Sequence, residues 1–266
     1  MTASPNHQQP LVEMKGVYKA FGGVHAVENV DAKLYPGEVV AVLGHNGAGK
    51  STLMKMLAGA YSRDAGDIHV HGQATPLSTP AEAHALGIET IHQTLALADN
   101  LDAAANLFLG REPGWTIGPF RLMDSQTMKD QARKAIQQLN PNFDKIDVPC
   151  RDLSGGQRQT VAIARALHFR ARVLIMDEPT AALGPEETKM VADLITRLKA
   201  QNIGIFLISH DIEDVIELAD RFMVMKGGQV VGHGQIGAVE KDDILAMIIM
   251  GKCPNSVIAG PGADNG

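Results

Sequence analysis

Polyphosphate chemistry is indicated first by one nine-residue run, which reads Gly44-His45-Asn46-Gly47-Ala48-Gly49-Lys50-Ser51-Thr52. The run fits the phosphate-loop pattern G-x-x-x-x-G-K-[ST] and is called the phosphate loop below. Its glycines allow backbone N–H groups to turn inward, and a following helix would add the positive end of its dipole. Lys50 is then placed to reach the β- and γ-phosphates, and Ser51 to hold Mg²⁺. The alternative is a glycine-rich turn that happens to carry a lysine.

A pair of carboxylates, Asp177 and Glu178, directly follows the apolar residues 173–176. Four apolar residues that run into two acids predict a strand buried on both faces, with carboxylates at its C-terminal end. Open parallel sheets bind ligands at that end. Asp177 is therefore predicted to help hold Mg²⁺, and Glu178 to polarise an attacking water. A solvated strand end is the alternative, and the phosphate loop earlier in the chain disfavours it.

Three further signals add polar groups to the same chemistry. Residues 153–157 read Leu-Ser-Gly-Gly-Gln and are called the signature segment below. Ser154 is predicted to cap a helix whose start forms a second anion-binding site. Gln93 and His210 each follow an apolar, strand-like stretch. Taken singly, the segment is only a capped helix and the two side chains are structural; together with the phosphate loop they indicate a nucleotide site.

The elements that must position these groups follow from the hydrophobic pattern. Strands and helices alternate around the phosphate loop and again after residue 170, which predicts an α/β fold with a mostly parallel sheet. The strands before the loop predict an N-terminal antiparallel β part, and the pattern from about 94 to 165 is helical. The predicted organisation is a flexible N-terminus at 1–10, a nucleotide-binding α/β core at 11–93 and 170–258, an inserted helical subdomain at 94–169 that carries the signature segment, and a disordered tail at 259–266.

Some boundaries are predicted in more detail. Ser125 is expected to cap a helix that runs to about Leu139, and Gly227-Gly228 to form the turn of a hairpin. Thr79 and Pro80 are expected to open another helix.

Composition narrows the class of protein. The chain has 266 residues, 45% of them hydrophobic, and a formal net charge of −6, which argues against a surface that coats nucleic acid. No apolar run approaches the length needed to cross a bilayer, and the first ten residues lack the apolar core of a signal peptide. The two cysteines, Cys150 and Cys253, lie far apart and are expected to be free thiols in a reducing cytosol.

The ordered set of motifs resembles the ATP-binding subunit of an ABC transporter over residues 10–250. The discriminating feature is a signature segment upstream of the acidic strand. The resemblance implies a phosphate-loop NTPase core with the ABC ATPase fold. Two subunits would form composite sites as a homodimer, in which the signature segment of one subunit closes over ATP held by the other. Nucleic acid is not an expected partner, because the net charge is −6.

The resemblance also assigns site residues. Catalysis is assigned to Glu178, His210, Gln93 and Lys50, and Mg²⁺ binding to Ser51, Gln93 and Asp177. Gln93 would sense Mg²⁺ and water, and His210 would contact the γ-phosphate. ATP is assigned to the phosphate loop, to Phe21 as the ring that stacks on adenine, and to Ser154, Gly155, Gly156 and Gln157. Ordinary strand packing is the alternative role for Phe21, and neighbouring Tyr18 is the competing stacking residue.

Three stretches resemble bacterial importers of ribose, fructose and xylose: residues 87–97, 106–112 and 181–184. The sequence carries one phosphate loop and one signature segment, so it resembles the subset of these importers with a single nucleotide-binding domain. This predicts an ATPase at the cytoplasmic face of the cell membrane that docks on an integral membrane permease through residues 95–111. An extracytoplasmic sugar-binding protein would be an indirect partner. The alternatives are a non-sugar ABC importer ATPase, a soluble ABC-type ATPase and a nucleotide-binding module without hydrolysis.

Two positions depart from the family pattern. Gly184 stands where most ABC ATPases have an aspartate that acts across the dimer, which puts that route of coupling in doubt. His45 is an unusual residue inside the phosphate loop, although its backbone can still serve the phosphates.

Overall fold

The computed structural model describes residues 9–92, 94–117, 120–181, 183–254 and 257–260. Gln93 lies outside them. The strands described are, in chain order, β1 (Val12–Phe21), β2 (Val24–Leu34), β3 (Val39–Leu43), β4 (Ala65–Val70), β5 (Gln73–Ala74), β6 (Ile88–Ile91), β7 (Gly114–Ile117), β8 (Phe120–Met123), β9 (Val173–Asp177), β10 (Gly204–Ile208), β11 (Arg221–Lys226), β12 (Gln229–Gln235) and β13 (Ile258–Ala259). The α-helices are α1 (Lys50–Leu57), α2 (Pro80–Ala85), α3 (Ala103–Phe108), α4 (Ser125–Leu139), α5 (Gly155–His168), α6 (Pro185–Ala200), α7 (Ile212–Leu218) and α8 (Lys241–Met250).

The chain divides into two compact units. The first unit contains the residues up to Thr90, Arg172–Glu178 and the residues from Leu198 onward. The second unit contains Ile91–Ala171 and Pro179–Arg197. The signature segment belongs to the second unit, whereas the phosphate loop, Asp177, Glu178 and His210 belong to the first.

A seven-stranded sheet forms the centre of the first unit, in the order β13-β12-β11-β3-β10-β9-β6. Strand β10 pairs in parallel with β3 and β9, and β11 pairs in parallel with β3. Every residue of β3 and β10 is buried, as expected for parallel strands covered on both faces. Parallel pairing brings the C-terminal ends of β3, β9 and β10 to one edge of the sheet. This confirms the predicted α/β fold with a mostly parallel sheet.

A second sheet of the first unit is antiparallel and has the order β2-β1-β4-β5. Strands β1 and β2 pair over most of their length, from Val12 opposite Leu34 to Phe21 opposite Val24. The inward side chains of β1, including Val12, Met14 and Val17, are buried in the same core as α1. The predicted N-terminal antiparallel part is therefore confirmed.

Helix α5 starts as predicted and helix α4 does not. Ser154 caps α5 as expected, and the structure shows in addition a full capping box with Gln157. For α4 the predicted cap, Ser125, was wrong: the carboxylate of Asp124 accepts the Thr127 N–H at 3.0 Å, and Ser125 is the first helical residue. Both residue types can cap a helix, so the pattern alone did not separate them.

Strands β7 and β8 pair antiparallel inside the segment that was predicted to be helical. Trp115 lies opposite Leu122, and period-two pairing here replaces the helical period. The predicted hairpin at Gly227-Gly228 is confirmed, since Lys226 of β11 pairs with Gln229 of β12.

Ala259, the first residue of the predicted tail, pairs with Gly232 of β12. Among the described residues, no helix is both long and apolar enough to cross a membrane.

Candidate nucleotide site

The phosphate loop links the buried strand β3 to helix α1 of the first unit. Gly44, Gly47 and Gly49 have φ values of 141°, 82° and 104°, in the left-handed region that favours glycine. A side chain at Gly44 would also meet the carbonyl oxygen of Met225 on β11. Gly49 is the N-cap of α1 and supplies no capping side chain. The first N–H groups of α1 therefore depend on an external acceptor, which a phosphate can provide.

The Lys50 side chain folds back onto the phosphate loop. Its Nζ donates to the carbonyl oxygens of Gly44 at 2.6 Å and His45 at 3.0 Å. Partial burial lowers the pKa of the Lys50 amine, against the carboxylates of Glu178 and Asp177, which raise it. A half-buried cation held over an open loop is suited to bind an anion. The His45 side chain is exposed, and its carbonyl oxygen takes part in the loop.

Strand β9 delivers the two acids to the edge of the sheet beside this loop. Its register places Asp177 opposite Ile208 of β10, and the Glu178 N–H donates to the Ile208 carbonyl at 2.8 Å. Glu178 has a φ of 50°, which costs a non-glycine residue about 1–3 kcal/mol. Such strain clusters at functional sites because the surrounding fold holds it in place.

His210 follows β10, and its Nδ1 lies 2.9 Å from the Glu178 Oε1. The carboxylate can only accept, so Nδ1 is the donor. The His210 side chain is 72% exposed and that of Glu178 29%, so the pair faces solvent. The structure thus brings together Lys50, Asp177, Glu178 and His210, which the sequence spreads over 160 residues, at one edge of the sheet.

Two of the three residues assigned to Mg²⁺, Ser51 and Asp177, lie among the described residues, and both offer oxygen ligands. Ser51 lies exposed in the first turn of α1, and Asp177 ends β9. A hydroxyl and a carboxylate match the preference of Mg²⁺ for one or two protein oxygens, with water and phosphate completing its shell. Gln93, the third residue assigned to the metal, lies outside the described residues.

Phe21 ends β1 with 44% of its surface exposed. The Phe21 ring packs edge to face against Tyr61, with 5.2 Å between the ring centroids. The Lys19 Nζ lies 5.3 Å from the centroid of the Phe21 ring. The Tyr18 hydroxyl is 2.7 Å from the His25 Nδ1, so the competing aromatic residue already has a polar partner. An exposed aromatic face at Phe21 is available for stacking.

The signature segment opens α5 in the second unit. The Ser154 Oγ accepts the Gln157 N–H at 3.4 Å, and the Gln157 Oε1 accepts the Ser154 N–H at 3.1 Å. A side chain at Gly155 would meet Leu183, and one at Gly156 would lie 2.9 Å from the Met190 sulfur. Because neither glycine has a side chain, α5 can pack closely against Leu183 and the start of α6.

Sequence reasoning missed Glu187, which the structure places against this segment. The Glu187 Oε1 accepts the Gly155 N–H at 2.8 Å, and its Oε2 accepts the Gly184 N–H at 3.3 Å. The available signal was a proline at the first position of α6 followed by a glutamate at the third, which is typical of a helix start. Gly184 itself has open space where a side chain would begin.

Residues 95–111 were predicted to dock on a permease and are called the docking segment below; Asn106 of α3 organises their backbone. Asn106 is fully buried; its Oδ1 accepts the Ala98 N–H at 2.7 Å, and its Nδ2 donates to the Leu101 carbonyl at 3.1 Å. Leu109, just after α3, has an exposed side chain. The side chain of Asn106 thus holds the backbone of the docking segment through hydrogen bonds, and Leu109 is an exposed apolar residue beside it.

Comparisons with known proteins identify relatives of this chain. A family model described as ABC transporter matches residues 27–181. The fructose import ATP-binding protein FrcA of Rhizobium meliloti is 43% identical over 226 residues, which cover 84% of this chain and 87% of that protein. The ribose import ATP-binding protein RbsA of Caldanaerobacter subterraneus subsp. tengcongensis is 39% identical over 241 residues, 91% of this chain but 48% of its own length. The chain thus spans about half the length of the ribose import relatives that it matches.

A solved structure extends the likeness to three dimensions. The crystal structure of an ATP-binding cassette of an ABC transporter in its ADP conformation aligns with a TM-score of 0.75 at 26% identity, covering 90% of this chain and 95% of that one. The residues that the family model matches include the phosphate loop, the acidic strand end and the signature segment. The chain belongs to the ABC transporter family, as an ATP-binding cassette.

Proposed function

We propose that this chain is the ATP-hydrolysing subunit of an import system for a monosaccharide, acting as a homodimer at the cytoplasmic face of the membrane. The observation that carries hydrolysis is the Glu178–His210 pair, 2.9 Å apart, at the sheet edge that also holds Lys50. The substrate class rests on relatives named as fructose and ribose import proteins. A non-sugar importer and a soluble ATPase are the alternatives to test.

The phosphate loop would bind the triphosphate before any chemistry occurs. The N–H groups at the start of α1 donate to phosphate oxygens, and Lys50 exchanges its carbonyl partners at Gly44 and His45 for the β- and γ-phosphates. Phosphate charge also favours the protonated amine, which burial alone disfavours. Mg²⁺, held by Ser51 and Asp177, would neutralise charge on the phosphate oxygens. Gln93 is proposed to sense that metal and the attacking water.

Glu178 would orient the attacking water and accept its proton. Its strained backbone and its contact with His210 fix the direction of the carboxylate. While the His210 Nδ1 donates to Glu178, the Nε2 can donate to a γ-phosphate only if the imidazole carries both protons. His210 would therefore hold the base on one side and the phosphate on the other.

The composite site would be completed by the signature segment of the other subunit. The hydroxyl of Ser154 and the N–H groups of Gly155 and Gly156 lie at the start of α5, where the helix dipole favours an anion. ATP would then join two subunits until hydrolysis separates them, a ligand-driven shift between a closed and an open dimer. The docking segment would pass this movement to the permease, with a sugar-binding protein on the opposite side of the membrane.

Sugar uptake tests this proposal. In cells that lack the gene, uptake of labelled fructose, ribose and xylose should return with the unaltered chain and stay absent with Lys50→Ala. Pull-down of the chain should recover an integral membrane permease. Restored growth or transport with a non-sugar solute would favour the first alternative. A chain that hydrolyses ATP but recovers no membrane protein would favour the second.

Phe21→Ala should weaken ATP binding because the exposed ring would lose its contact with adenine. Stacking of a base on an aromatic ring contributes about 1–3 kcal/mol. This corresponds to roughly 5- to 150-fold in Kd, and we expect the lower part of that range for a half-exposed ring. Tyr18→Leu is the matched comparison, and it should leave ATP affinity unchanged. Titration of each variant with a fluorescent ATP analogue and with ATP as competitor measures both effects. Loss of affinity in Tyr18→Leu alone would transfer the stacking role to Tyr18.

A further inference from the structure

The carboxylate of Glu187 already occupies the start of the signature helix α5. Its Oε1 accepts the Gly155 N–H at 2.8 Å, while its Oε2 accepts the Gly184 N–H at 3.3 Å at the beginning of α6. A side chain added at Gly155 would lie 3.3 Å from the Oε2 and 3.4 Å from the Oε1. Such a side chain would first meet Leu183, so the glycine leaves room for both Leu183 and this carboxylate. One internal anion therefore links the starts of two helices in the second unit.

The donors around Glu187 are also those proposed to cap a phosphate. Hydrogen bonds from the backbone N–H groups of Gly184 and Gly155 hold the pKa of Glu187 below its usual range against the effect of burial, and weaker interactions with Ser154 and Gly156 act in the same direction. Glu187 is therefore ionised at neutral pH. Three members of the signature segment interact with this internal negative charge.

A bound γ-phosphate would compete with the Glu187 carboxylate for the N-terminal end of α5. The start of α5 attracts a γ-phosphate through its dipole and its N–H groups. A carboxylate on the same groups reduces that attraction and repels the incoming phosphate. Closure of a dimer over ATP would require the phosphate either to displace Glu187 from these donors or to bind beside its charge.

We propose that Glu187 is a built-in anion that holds the signature segment in the absence of phosphate and raises the ATP concentration needed for dimer closure. The inference rests on the proposed homodimer with composite sites. Glu187 would have opposite effects on the stability of the second unit and on closure of the dimer. Its hydrogen bonds stabilise the folded second unit, and its charge opposes the closed, ATP-bound dimer. A residue that only stabilised the helix start would favour both states.

Glu187→Gln separates these effects because it keeps the shape and removes the charge. ATP-dependent dimerisation is measured by light scattering in a Glu178→Gln background, where hydrolysis does not remove the nucleotide. We expect the ATP concentration at half-maximal dimer to fall about two- to fivefold, the size of a charge effect at a helix end. The thermal midpoint of the monomer should fall as well. Glu186→Gln is the matched control, since it removes an exposed charge from the same turn of α6. This control should shift the ATP requirement less.

The outcomes separate this inference from the proposed function. A higher ATP requirement in Glu187→Gln, or an equal shift in Glu186→Gln, would overturn the role of Glu187 while the dimer itself stands. Absence of an ATP-dependent dimer with Glu187 intact would overturn the composite site, and the inference with it. If Glu187→Gln does not fold, Glu187→Ala also removes the charge, is favourable in a helix, and carries the same expectation.

Discussion

Glu178→Gln is expected to bind ATP as the unaltered chain does and to hydrolyse it about 10²- to 10⁴-fold more slowly, the contribution of a positioned general base. Glutamine keeps the length of the side chain and can still contact His210, but it cannot accept a proton from water. The ATP-bound dimer should consequently live longer. Phosphate release measures turnover, equilibrium nucleotide binding measures affinity, and light scattering follows the dimer.

Glu217→Gln is the matched control for this prediction. Glu217 is exposed on α7 of the same unit, so the substitution makes the same change in net charge at a residue with no assigned role in the site. Its turnover should remain unchanged. Turnover of Glu178→Gln within about a factor of two of the unaltered chain would remove Glu178 from the role of general base.

Mixed dimers of Lys50→Ala and Ser154→Arg chains should recover ATPase activity that neither variant has alone. Each homodimer carries the same lesion in both composite sites, and we expect a loss of at least about a hundredfold from removal of a charge-stabilising group. In the mixed dimer one site carries both lesions and the other carries neither. Activity should return up to the level that one intact site supports. Turnover of heterodimers purified through two affinity tags provides the measurement.

The control for this experiment places both substitutions in the same chain. When Lys50→Ala and Ser154→Arg are combined in one chain and paired with an unaltered chain, each composite site carries one lesion, and the purified heterodimer should stay inactive. Recovery in this pairing instead would indicate that each chain holds its own complete site. No recovery in the first pairing, with heterodimers shown to form, would mean that the signature segment does not complete the partner's site or that one intact site is insufficient.

Local elements were predictable where a short stretch of chain determines its own geometry. The capping box at Ser154 and Gln157 needs only four consecutive residues, and the turn at Gly227-Gly228 needs two glycines between strands. Where neighbouring residues offered equal solutions, the pattern failed, as it did between Asp124 and Ser125. The pairing of β7 with β8 was missed because both strands are short and interrupt an otherwise helical segment.

By itself, the sequence determined the chemistry available to this protein. The glycines and lysine of the phosphate loop and the acids after a buried strand are contiguous motifs whose local geometry is encoded by neighbouring residues. Tertiary structure alone decided which groups meet. Glu178 pairs with His210, and Glu187 with Gly155, each across 32 residues of chain, and hydrophobic strand and helix packing brings each pair together. Burial that is spread over many residues sets such distances, and no short motif records them.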